Sequence, residues 1–82
     1  MLTKNLKELV REKVFPAEIG VPEDLLNITT NEIALILRRN IRHNQVYIRG
    51  FYAESMTRMG LLIPVSGSED KYVFTELARQ YP

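Results

Sequence analysis

Apolar residues recur along this chain with helical periods at first and with strand-like alternation near the C-terminus. Leu2, Leu6, Leu9, Val10 and Val14 return at helical spacing, and Lys4, Glu8, Arg11 and Glu12 fall on the opposite face. The pattern predicts an amphipathic helix over Thr3–Val14 with Thr3 as its N-cap. Pro16 ends it by pushing Phe15 out of the helical region. Pro16 to Thr29 reads as a connector. Within it, Ile19-Gly20-Val21 is a candidate short strand, and Pro22 opens a helical turn with Glu23 and Asp24 at its N-terminal end. Leu25, Leu26 and Ile28 are expected to point inward.

Thr29-Thr30-Asn31-Glu32 fits a capping box before an apolar run, so a second helix is expected from Thr30 to about Asn40. Its inner face is Ile33, Ala34, Ile36, Leu37 and Ile41, and Leu35 leaves little of the surface polar. Arg42-His43-Asn44-Gln45 forms a polar joint. Asn44 is then an N-cap for a third helix over Gln45–Met59, whose apolar side is Ile48, Phe51, Tyr52, Ser55, Met56 and Met59. Gly60 is placed as its C-cap glycine. Leu61–Val65 and Lys71–Phe74 read as strands joined by the turn Ser66–Asp70, with Pro64 confining the first to a sheet edge. Thr75 caps a last helical turn, Glu76 to Gln80, ended by Pro82. The expected fold is α+β, a small single domain over residues 1–82 with three helices and a C-terminal β-hairpin.

Composition narrows the chemistry. The 82 residues suit one small core. There is no cysteine, which removes disulfides, thiol catalysis and cysteine-ligated zinc, and a single histidine, His43, cannot build a histidine-rich metal site. No apolar run is long enough to span a bilayer, and the charged N-terminus does not read as a signal peptide. The expectation is a cytoplasmic protein with no membrane partner, no metal and no cofactor. Gly20, Gly50, Gly60 and Gly67 are isolated and make no phosphate loop. Glu23-Asp24 and Glu69-Asp70 are adjacent pairs that read as a helix start and a solvated turn. His43 has no carboxylate at a suggestive spacing to orient it as a base. A non-enzymatic role is expected.

Net charge is only +1, but its distribution is uneven. Between Glu32 and Glu54 there is no acid, while Arg38, Arg39, Arg42, His43 and Arg49 fall there. Two readings stand: the footprint of a polyanion binder, and basic side chains placed to suit a helix C-terminus.

The order of elements, with Thr-Asn-Glu-Ile-Ala (Thr30–Ala34), Met-Gly-Leu-Leu-Ile (Met59–Ile63) and Tyr-Val-Phe-Thr-Glu (Tyr72–Glu76), resembles the winged helix-turn-helix family. The resemblance implies a small DNA-binding transcriptional regulator, expected to be dimeric, with helix 45–59 reading double-stranded DNA and the hairpin as its wing. The implied contacts are Asn44, Gln45, Tyr47 and Arg49 near the groove. Arg38, Arg39, Arg42 and His43 would hold the backbone, and Lys71 would act from the wing. A lesser similarity, carried by Ile19-Gly20-Val21-Pro22-Glu23-Asp24-Leu25 and by Tyr47-Ile48-x-Gly50, is to the FinO/ProQ family of RNA chaperones. It implies RNA binding. A further reading is a protein-interaction module. The outer face of the third helix is expected to be a small-residue ridge of Gly50, Ala53 and Thr57, and the wing carries Glu69 and Asp70. A partner protein or a second copy would pack on that ridge or on the first helix.

Overall fold

The computed structural model describes residues 4–16 and 20–81. The expected N-cap Thr3, Leu2 of the first stripe, Ile19 of the short connector strand and the terminal Pro82 lie outside them. The protein is a small α+β domain of three helices and a three-stranded antiparallel sheet, an arrangement compatible with a winged helix.

Helix α1 spans Leu6–Lys13. Its N-cap is Asn5, whose side-chain oxygen accepts from the Glu8 amide at 2.8 Å. Such a cap satisfies one of the open donors of the first turn. Leu9, Val10 and Val14 are buried, and Phe15 beyond the helix end stacks toward Phe51 at 6.3 Å.

Helix α2 runs Glu23–Asn40 and is the spine of the domain. The expected capping box does not start it. Pro22 is the N-cap residue, Glu23 and Asp24 fill the first turn, and the Leu26 amide already bonds the Pro22 carbonyl. The turn expected at Pro22 is therefore the true beginning of the long helix. Thr29 is buried in its interior, and the Thr30 hydroxyl donates back to the Leu26 carbonyl at 2.8 Å, which removes its need for a helix end. Leu26, Thr29, Ile33 and Leu37 form the buried seam. Leu25 and Ile28, expected to point inward, are exposed instead.

Residues 46–47 form strand β1, not the start of a helix. Val46 faces Tyr72 and Tyr47 faces Lys71 across an antiparallel ladder. Helix α3 then spans only Gly50–Arg58, with Arg49 at its N-cap. Gly50 has φ of 70°, in the left-handed region that glycine enters freely, so the helix cannot propagate back through it at low cost. Asn44 is thus not a helix cap, and Gln45 and Tyr47 are not helical. Gly60, with φ of 81°, ends α3 as expected. The Leu61 amide bonds the Met56 carbonyl and the Gly60 amide bonds that of Thr57, the paired bonds of a Schellman motif.

Strands β2 (Leu62–Pro64) and β3 (Lys71–Phe74) make the hairpin, and β3 is central in the order β1-β3-β2. Thr75 ties the hairpin to the rest: its hydroxyl donates to the Gly60 carbonyl at 2.6 Å and accepts from the Ala78 amide. A single 3-10 turn, Ala78–Gln80, follows. Val10, Leu26, Ile33, Leu37, Met56 and Leu61 are essentially without solvent contact and join all three helices to the hairpin in one core. Truncation of any of the leucines, Ile33 or Met56 to alanine is expected to cost about 2–5 kcal/mol. The Ser55 hydroxyl is buried there with no hydrogen-bond partner among the described residues.

Candidate polyanion-binding surface

The predicted contact residues divide into two groups. Arg38 and Arg39 occupy the last turn of α2, and Arg42 and His43 follow in the turn beyond it. All four are exposed. The helix C-terminus holds them there: the Ile41 amide bonds the Leu37 carbonyl, the His43 amide bonds that of Asn40, and the Asn40 side chain donates to the Ile36 carbonyl at 2.8 Å. Buried Leu37 anchors the same turn from inside.

A fourth arginine belongs to this group, and it comes from far along the chain. The Arg79 guanidinium donates to the Ile41 carbonyl at 3.0 Å, satisfying an open acceptor at the end of α2. Tyr81 then lines a small cleft with Ala34, Leu37 and Arg38, and its hydroxyl reaches the Lys4 carbonyl at 3.1 Å. The C-terminal segment thus wraps the basic end of α2. Nothing local in the sequence marks Arg79 for this place.

Ion pairing separates this end of the molecule from the other. Among the described residues, ion pairs join Lys4 to Glu12, Lys7 and Arg11 to Glu23, and Arg49 to Asp70. Arg38, Arg39, Arg42 and Arg79 enter none of them. At the paired end, the Lys7 ammonium beside Glu23 holds that carboxyl below the usual carboxylate range, first through its hydrogen bond and then through its charge. Lys4 does the same for Glu12.

The second group lies along the sheet edge. Tyr47 is 67% exposed on β1, and the Lys71 ammonium stands 5.6 Å from its ring centroid, an exposed cation–π contact. Arg49 grips one Asp70 oxygen with two guanidinium nitrogens, each at 2.9 Å. Its charge is therefore partly answered within the chain. Asn44 and Gln45 are exposed in the connector and make no side-chain hydrogen bond among the described residues.

The expected small-residue ridge of α3 is absent. Ala53 is buried, and the Thr57 hydroxyl donates to the Ala53 carbonyl at 2.7 Å, so Gly50, Ala53 and Thr57 form no outer ridge. The exposed residues of α3 are Gly50, Phe51, Glu54 and Arg58. An open groove of about 680 Å³ lies between the start of α3 and the turn joining β2 to β3. Glu54, Glu69 and Asp70 border it together with Arg49, a balance of charge that repels phosphate.

No group of three or more metal-binding side chains occurs among the described residues, and no helix there is long and apolar enough to cross a membrane. No family model, curated protein or solved structure matches this chain.

Proposed function

We propose that this chain is a nucleic-acid-binding module, most simply a small DNA-binding regulator of winged-helix type, that grips the duplex backbone with the basic end of α2. One observation carries the reading. Arg38, Arg39, Arg42 and Arg79 converge on one helix terminus, all exposed and all without an ion-pair partner among the described residues. Arginines gathered at one surface, with no carboxylate paired to them among the described residues, favour an external anion of high charge density. Tyr47 and Lys71 extend the same chemistry onto the sheet edge. Helix α3 has little to read bases with, so the binding proposed is dominated by phosphate contacts and tolerant of sequence.

The test is an anisotropy titration of a labelled duplex of about 20 base pairs at about 50 mM and about 200 mM salt, with a structured RNA in parallel. Four phosphate contacts predict a log–log slope of about −3.6 on DNA. No binding at low salt, or binding indifferent to salt, would sink the reading. Tighter binding to the RNA would transfer it to RNA.

A further inference from the structure

Helix α2 carries a second apolar stripe, on the face turned away from its buried seam. Leu25, Ile28, Glu32, Leu35 and Arg39 follow one another at alternating steps of three and four, the spacing of a helix-pairing seam. Leu25 is 44% exposed, Ile28 is 58% exposed and Leu35 is half-buried. The core already takes Leu26, Thr29, Ile33 and Leu37, so this stripe is surplus to folding the single chain. An isolated exposed leucine needs no explanation, but an ordered seam of three does.

Charge identifies what fits the seam. Asp24 and Arg38 flank it on the same side, fourteen residues apart and both exposed. Neither joins an ion pair among the described residues, although neighbouring Glu23 is held by both Lys7 and Arg11. Along this flank one end of the helix is acidic and the other basic. Such a helix is complementary to itself when reversed.

We propose that two copies of this chain dimerise by packing α2 against α2 in antiparallel fashion about a two-fold axis beside Asn31. In that register Leu25 of each copy packs on Leu35 of the other, and Ile28 lies over the stem of Glu32. Asp24 of each copy faces Arg38 of the other, giving two symmetric ion pairs, and the helix dipoles oppose. The seam differs from both surfaces that the sequence suggested for self-association, α1 and the Gly50-Ala53-Thr57 ridge. It needs no polyanion to form, and where both hold Arg38 is taken by Asp24 of the second copy, leaving Arg39, Arg42 and Arg79 for phosphate. The Arg39 residues of the two copies then lie about 27 Å apart along the helix axis, at 1.5 Å rise per residue.

Sedimentation equilibrium from about 1 µM to about 500 µM protein tests this directly, spanning the affinities expected of a small interface. The mean mass should rise from 9.5 kDa to twice that value. Ile28→Glu should weaken association by about 100-fold or more by burying an unpaired carboxylate. Asp24→Arg and Arg38→Asp should each weaken it by about tenfold, and the double variant should recover most of that loss because the pair is restored with its signs exchanged. All three substituted positions lie on the outer surface, so circular dichroism should show unchanged helix content. A single-chain mass at every concentration overturns the proposal. So does a dimer indifferent to Ile28→Glu, or a double variant no better than either single one.

Discussion

The two ends of α2 carry opposite charge, and Glu23 at one end is paired while the arginines at the other are not. At the N-terminal end, Glu23 is bound by Lys7 and Arg11 of α1, so charge is spent within the fold. At the C-terminal end, Arg38, Arg39 and Arg42 gather with Arg79 and no carboxylate answers them among the described residues. The helix dipole favours both placements equally, because acids suit the first turn and bases the last. The dipole therefore cannot account for the difference in pairing. The contrast separates charge that fixes a neighbouring helix from charge available to something outside the chain.

The largest effects should come from packing and should not distinguish the ends. Leu26→Ala beneath the acidic end and Leu37→Ala beneath the basic end each remove a fully buried side chain, and each should cost about 2–5 kcal/mol in urea unfolding. A large loss at one end only would mean that packing, not charge, sets them apart. Binding should discriminate next. Arg42→Ala should weaken duplex binding on all sequences alike and reduce the salt slope by about 0.9, whereas Lys7→Ala should leave both unchanged. Equal effects from the two substitutions would erase the distinction. The smallest effect should be seen in acid. The carboxyls of Glu23 and Glu12 are held low in the folded chain, so their contribution is present at neutral pH and is lost as the pH falls through the lowered folded value. Lys7→Met should flatten that acid limb slightly, while Arg42→Ala should not alter it. Both carboxylates face solvent, so added salt should shrink the difference.

Local signals in the sequence were decoded well. Gly60 ends α3 because a left-handed residue there completes two carbonyl bonds within one turn. The hairpin over 62–74 and the Thr75 cap likewise depend on neighbours a few residues away. Two errors share one cause. Thr29 through Glu32 matched a helix start, but Pro22 already caps the helix seven residues earlier, and interior threonines satisfy their hydroxyls on preceding carbonyls. Val46-Tyr47 fell inside the expected third helix, but pairing with Tyr72 and Lys71 of β3 decided its conformation. The β-branched and aromatic run Val46-Tyr47-Ile48 before Gly50 was the signal available for that strand. The charged site was half legible. A gap of acids between Glu32 and Glu54 points to Arg38, Arg39 and Arg42. The bond from Arg79 to Ile41 crosses 38 residues and leaves no local trace.

The sheet has a consequence for how copies of this chain can meet. Its two rims are β1, only two residues long, and β2, only three residues long with Pro64 at its end, where a backbone donor is missing. Another strand arriving at either rim finds too few main-chain groups to form a ladder. Growth into stacked, fibre-like sheets is thereby disfavoured from both sides. The domain can be crowded without its sheets fusing, and contacts between copies are left to side chains on its helices.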